Sequence, residues 1–403
     1  MESLSPPAAL LRDLIRCPSV TPAEGGALDV LQERLERFGF TVRRRVSSSP
    51  GTPDVENLYA RLGTASPNLC FAGHTDVVPP GDVDDWSEGP FEGAVRDGFL
   101  YGRGAVDMKG GIACFVAAVE RHLADHGPPA GSVSLLITGD EEGPAINGTR
   151  AVLEWLAQDG ETIDACIVGE PTNPDALGDA IKIGRRGSVS GTVTVHGVQG
   201  HAAYPHLADN AVRGALSLAD ALMRVAYDEG TEHFQATNLE ITSIDVGNPA
   251  FNVVPATARF TFNVRFNDTW TADTMRAEIE RRLDQAAADP ALRPGREPVR
   301  YDLDYEARPS HVFRTDDAGL IDCLADAVEG VTGRRPERST GGGTSDARFI
   351  KDVCPVVEFG LVGRTMHQVD ERVALADLDA LADIYAAFLR DWFPRQAGEG
   401  ADG

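Results

Sequence analysis

At 403 residues the chain is too long for one hydrophobic core, so about two domains are expected. Its 42% hydrophobic content is enough to bury substantial cores and excludes an intrinsically disordered protein. The formal net charge of −25 argues against a nucleic-acid partner, which needs a basic patch. The acidity serves solubility, and an anionic substrate would need local arginines.

The first twenty residues lack a basic start followed by an apolar core, so no signal peptide is expected. No apolar run approaches about 18 residues, and no membrane span is expected. Cysteines occur at 17, 70, 114, 166, 323 and 354 without a CxxC pair, mostly inside apolar runs. They read as buried thiols of a reduced compartment, and a cytoplasmic enzyme is the expectation.

The spacing of Leu28, Leu31, Leu35 and Phe38 predicts an amphipathic helix over 27–38. Strand-like runs follow at 57–62 and 69–72, then a buried helix over 110–123. Apolar strands are predicted at 132–138 and 163–168, with a helix over 149–157 between them. This alternation predicts α/β architecture: a mixed, largely parallel sheet with helices on both faces.

After Gly187 the pattern changes. Segment 188–196 alternates as a half-exposed strand, and 211–227 is helical. Strands follow at 238–246 and 257–266, then a helix over 272–287 and a strand at 299–305. The order β-α-β-β-α-β is a split βαβ, ferredoxin-like α+β domain inserted into the first. The domain readings are therefore 1–187 with 307–403, and 188–306. The α/β pattern returns with a helix over 319–331, a strand at 353–359 and a closing helix over 376–392. The tail from Arg395 is polar and reads as frayed.

Acids and histidines follow these runs. The run at 69–72 leads into Gly73-His74-Thr75-Asp76, where open α/β sheets place ligands, just past a strand's carboxyl end. Asp76 could accept the second ring N–H of His74, although a lone His-x-Asp in a loop is more often structural. Asp107 precedes a predicted helix and could simply cap it. A carboxylate there could also bridge two cations. Asp140, Glu141 and Glu142 follow another strand, and their mutual repulsion is costly without a nearby cation. Glu170 and His367 follow the strands at 163–168 and 353–359, and each alone has an ordinary solvated reading. Together His74, Asp107, Glu142, Glu170 and His367 form an oxygen and imidazole ligand set that suits zinc, and also manganese or cobalt. Glu141, beside one of them, looks like the base of a two-metal hydrolytic site.

At these residues the chain resembles the M20 metallopeptidase family over nearly its whole length. The strings are 73–79 (GHTDVVP), 100–104 with 107–110 (LYGRG and DMKG), 138–143 (TGDEEG) and 168–172 (VGEPT). Four narrower strings point to the branch that removes succinate from N-succinyl-diaminopimelate. They are 146–149 (INGT), 182–188 (KIGRRGS), 200–205 (GHAAYP) and 342–349 (GGTSDARF).

The resemblance implies two zinc ions per subunit. Asp107 would bridge them, His74 and Glu170 would complete one site, and Glu142 and His367 the other. It implies Glu141 as general acid/base, Asp76 as a further catalytic residue beside His74, and a cis peptide between Asp107 and Met108. The inserted domain would be a lid that pairs two copies into a homodimer, with His201 reaching the other subunit's site. The implied substrate is a small dicarboxylate amide. Arg185 is the leading candidate to grip a carboxylate, since guanidinium binds it bidentately, although Arg185-Arg186 could be a solvated basic turn. Ser188, Tyr204, Asn252, Arg265 and Thr344 follow from the family pattern. The loop through Gly343 could offer backbone N–H groups, and lacks the lysine of a P-loop. Acetylornithine deacetylases, aminoacylases and carboxypeptidases of the same family are the competing readings.

Overall fold

The apolar runs become strands, and a computed structural model describes them over residues 4–290 and 297–399. The parts of the expected domains at 1–3, 291–296 and 400–403 lie outside these residues. In chain order the first stretch holds α1 (Pro6–Ile15), α2 (Ala27–Arg37), β1 (Thr41–Ser47), β2 (Val55–Leu62), β3 (Asn68–His74), β4 (Val95–Arg96) and β5 (Phe99–Tyr101). It continues with α3 (Lys109–His126), β6 (Ser132–Thr138), α4 (Thr149–Gln158), β7 (Ala165–Val168) and β8 (Ala180–Lys182). Next come β9 (Gly184–Arg185), β10 (Gly187–His196), β11 (Gly200–His201), α5 (Ala211–Met223), β12 (Asn238–Asp245) and β13 (Val253–Val254). These are followed by β14 (Thr257–Phe266), α6 (Ala272–Ala288), β15 (Arg300–Tyr305) and β16 (Phe313–Arg314). The last stretch holds α7 (Ala318–Thr332), β17 (Glu337–Ser339), α8 (Ala347–Ile350), β18 (Val356–Glu358), β19 (Arg372–Ala374) and α9 (Leu375–Glu399).

The chain forms two compact units. The first runs through Ile183 and takes in Thr315–Ser339 and the chain from Ser345 onward; the second is Gly184–Arg314 with Thr340–Thr344. Each has its own hydrophobic core.

The first unit is built on an eight-stranded sheet of order β1-β2-β6-β3-β7-β18-β8-β17. Its centre, β6-β3-β7-β18, is parallel, and β1 and β2 add antiparallel at one side. Every residue of β3, β6 and β7 is buried. Strands covered on both faces are apolar throughout, which is why these runs stand out in the sequence. Helices α1, α3, α7 and α9 pack on one another, and α4 packs with α8. Phe71 of β3 stacks on Phe115 of α3 at 4.4 Å, with Tyr385 of α9 edge-on to both. The register aligns His74 with Thr138 and Ala72 with Val168, so β3 and β6 end level and β7 ends just short of them, with Glu170 following it.

The second unit is a four-stranded antiparallel sheet, β12-β14-β10-β15, with α5 and α6 packed on it. Strand β10 alternates buried and half-buried residues, as a sheet with one covered face requires. The helices that the spacing predicts end within a few residues of their expected bounds, but α9 continues to Glu399 with Pro394 inside it, and α1 and α8 lie where no helix is predicted. The segment after Arg395 that reads as frayed is therefore helical through Glu399.

Candidate metal centre

Strand β3 delivers His74 to the carboxyl edge of the sheet. Its Nδ1 lies 2.9 Å from the backbone carbonyl of Asp76. A carbonyl only accepts, so Nδ1 carries a proton and Nε2 is the nitrogen turned toward the carboxylates. That Nε2 is 3.2 Å from one oxygen of Asp107 and 3.7 Å from Glu170. The other Asp107 oxygen is 3.2 Å from Nε2 of His367, which lies 2.8 Å from Glu142. The five residues thus gather as two triads, His74–Asp107–Glu170 and Asp107–Glu142–His367, each with ligand atoms within 4.8 Å of one another.

The donor set fits a pair of divalent cations. Atoms bound to a tetrahedral zinc at about 2.0–2.1 Å stand about 3.3 Å apart, close to the separations found. Asp107 offers one oxygen to each triad. It does not cap α3: the residue at that cap is Met108, and no side chain closes it. The Asp107–Met108 peptide bond is cis.

Charge is concentrated and largely buried. Burial opposes a charged His74, but Asp107 and Asp76 outweigh it and raise its pKa. Asp107 and Glu142 push His367 up to about 10. Burial works against ionised Asp107, yet its contacts with His367 and His74 hold it below the carboxylate range. Burial raises Glu170 well above its ordinary value and Glu141 to about 8, where Asp346, Glu142 and Asp107 add to the effect.

The three adjacent acids have three different surroundings. Asp140 accepts the N–H groups of Ile146 and Asn147 at 2.8 and 2.9 Å and shapes the turn. Glu142 joins a triad, and Glu141 belongs to neither. The sequence spacing allows the Asp76 carboxylate to accept the second ring N–H of His74. Instead its carbonyl is the close partner, with the carboxylate 3.5 Å from Nδ1. The carboxylate accepts the N–H groups of Glu141 at 3.3 Å and Glu142 at 3.0 Å. An acceptor of two successive N–H groups fixes a turn better than it fixes a distant ring.

Sequence reading missed a second layer. Glu371 is fully buried and accepts N–H groups from Gly104, Val106 and Asp107 and from the Arg103 guanidinium. Glu358, also buried, accepts the Ser345 hydroxyl at 2.6 Å. A lone Glu four residues beyond His367 is a weak signal, and nothing beside it in the sequence marks a buried partner.

The substrate candidates lie in the second unit, in three places. Arg185 is buried and donates to the Gly341 carbonyl at 3.2 Å, beside Gly343 and Thr344. Gly342 (φ 98°) makes room for it, since a Cβ there would lie 2.7 Å from the guanidinium. Arg185 is thus no solvated turn. Ser188 faces Arg265 across β10 and β14 and accepts from Asn263. His201 pairs with Val253, its ring lies 5.6 Å from that of exposed Tyr204, and the Asn252 carbonyl accepts the Ala202 N–H.

An α/β sheet presenting two carboxylate–histidine triads at its carboxyl edge, with one shared aspartate, defines the metal-dependent hydrolase class. The model of peptidase family M20/M25/M40 matches residues 70–391, and the chain belongs to that family. Solved structures share the fold. An M20-family metallo-carboxypeptidase from Sulfolobus solfataricus superposes with a TM-score of 0.77 at 16% identity, over 97% of this chain and 100% of that one. A tripeptidase from Staphylococcus aureus gives 0.77 at 18%, over 96% and 98%. A dinuclear metal-binding M20 peptidase from Bacillus subtilis gives 0.65 at 14%, over 95% and 96%.

Proposed function

We propose that the chain is a succinyl-diaminopimelate desuccinylase. It would hydrolyse N-succinyl-LL-2,6-diaminopimelate to succinate and LL-2,6-diaminopimelate. The observation that carries the hydrolytic reading is the pair of triads sharing Asp107, with the non-ligating Glu141 beside Glu142. His74, Asp107 and Glu170 would hold one ion, and Asp107, Glu142 and His367 the other. Zinc suits these donors, with cobalt or manganese as substitutes. Bound there, the two cations supply Lewis acidity and lower the pKa of water.

The chain's own groups do the rest. Glu141 accepts a proton from the attacking water as its oxygen bonds to the amide carbon. When the C–N bond breaks, the same carboxyl returns that proton to the leaving amine. A carboxyl raised by burial is suited to both steps, because it binds the proton firmly enough to carry it. Asp76 holds the Glu141–Glu142 turn through both N–H groups. The second unit pairs two copies in this reading, and His201 of a second copy donates to the oxyanion of the tetrahedral intermediate.

Succinyl preference is supported by the strings around Arg185, His201 and Thr344. In a protein of net charge −25, a buried guanidinium opposite a glycine loop is a suitable carboxylate grip. Ser188, Tyr204, Asn252, Arg265 and Gly343 are the remaining proposed contacts. The peptidases among the solved structures favour a second reading, an N-acyl-amino-acid hydrolase or carboxypeptidase on the same centre. Hydrolysis of succinyl-diaminopimelate, acetylornithine and dipeptides should be compared with zinc or cobalt added. A kcat/KM highest for the succinyl substrate is expected. Preference for either of the others would overturn the assignment.

A further inference from the structure

We infer that Glu371 and Arg103 are a positioning pair that sets Asp107 and His367 at their mutual distance; this rests on the metal reading of the site. Glu371 is 0% exposed and Arg103 2%. One Glu371 oxygen accepts the N–H groups of Val106 at 2.9 Å and Asp107 at 3.2 Å. The other accepts Gly104 N–H at 3.0 Å and the Arg103 guanidinium at 2.8 Å. The backbone carbonyl of residue 371 also accepts the Gly102 N–H at 2.9 Å. A single side chain therefore wraps the segment that ends in Asp107.

Arg103 carries the link to the other side. Its guanidinium donates to the carbonyls of Gln368 at 3.1 Å and His367 at 3.5 Å, and to Pro79 at 3.4 Å. It lies over the Trp86 ring, 5.2 Å from its centre. His367 itself has φ 62°, a conformation its neighbours must hold. The pair thus ties the turn bearing His367 to the segment bearing Asp107, and both residues belong to the same triad. Burying an ion pair stabilises a fold little compared with apolar packing. Partners that orient ligands, by contrast, are worth about 10–100-fold in metal affinity.

Two substitutions test this. Glu371→Gln replaces an all-acceptor carboxylate with an amide whose NH2 must face N–H donors. Arg103→Lys keeps the buried positive charge but loses the planar fork that reaches several carbonyls at once. Metal-stripped wild type and variants should be titrated with cobalt(II), following affinity, stoichiometry and the visible absorption of the bound ion, with circular dichroism as a control on the fold. Wild type should take up two ions. Each variant should keep its fold, bind at least one ion about 10–100-fold more weakly and show an altered cobalt spectrum. Wild-type affinity and spectrum in both variants would overturn the role. So would a lower melting temperature alone, which would leave a purely structural ion pair. Wild type that binds no cobalt would overturn the metal reading itself, and this inference with it.

Discussion

One peptide bond separates Glu141 from Glu142, and the Asp76 carboxylate accepts both of their N–H groups. That turn sends Glu142 to His367 and leaves Glu141 outside either triad. In the proposed mechanism Glu141 moves a proton and binds no ion. Glu141→Gln should therefore retain wild-type metal content while turnover falls by about 100-fold or more, checked by metal analysis beside initial rates. Loss of metal together with activity would contradict the division of labour. The residues of the two triads were legible only in combination: each alone has a structural, capping or solvated reading, and their recurrence after strand-like runs is what marks one shared site. Glu371 and Arg103 were not legible. Their signal is a buried carboxylate meeting backbone N–H groups more than 260 residues away in sequence, and no local pattern records that. The Asp76 carboxylate does lie 3.5 Å from the His74 ring, but its bonds to the N–H groups of Glu141 and Glu142, about 65 residues on, leave no mark in the local sequence.

At the scale of elements, helix α3 enters the core between the segments bearing Asp107 and Glu170. Its Gly111 sits against Gly169, and a Cβ there would overlap the Gly169 carbonyl. Gly111→Ala should destabilise the protein by about 1–3 kcal/mol, as overpacking does, and should disturb Glu170 one residue beyond the contact. Gly330, in α7, has open space around it. Gly330→Ala should instead stabilise by about 0.5–1 kcal/mol, because a helix interior favours alanine. Urea unfolding of both variants checks the contrast, and equal effects would remove the close-packing argument. The central strands could be read in advance because burial on both faces makes them apolar. Strand β1 could not, since Arg43, Arg44 and Arg45 cover it with charge. Those arginines pair with Asp159, Glu161, Asp29 and Glu56, which suits an edge strand that must not recruit another. The short strands β4, β5 and β19 carry too few residues for any periodicity to show.

For the molecule as a whole, the raised pKa values act in one direction. Glu141, Glu170, His74 and His367 bind protons more tightly in the folded chain than in the unfolded one. Their contribution to stability must then fall as pH rises, from about 4.5 for the carboxyls and onward to about 10 for His367, while Lys109, pushed down by burial to about 8, acts oppositely only above that value. Asp107 acts oppositely, but only below its ordinary value of 3.8. Chelator-stripped protein should accordingly melt at a lower temperature at pH 9 than at pH 6. Loaded protein should lose most of that slope, because cations favour the deprotonated ligands. A stripped protein with a flat profile would show these groups to be better solvated than their surroundings indicate. The order of the sheet has a consequence for how the chain is made. Strand β18 lies between β7 and β8, yet it is synthesised after the whole of Gly184–Arg314. A ribosome must translate past residue 358 before the central sheet can close, and past His367 before the second triad exists. A polypeptide that stops before His367 therefore holds every member of one triad and an incomplete version of the other.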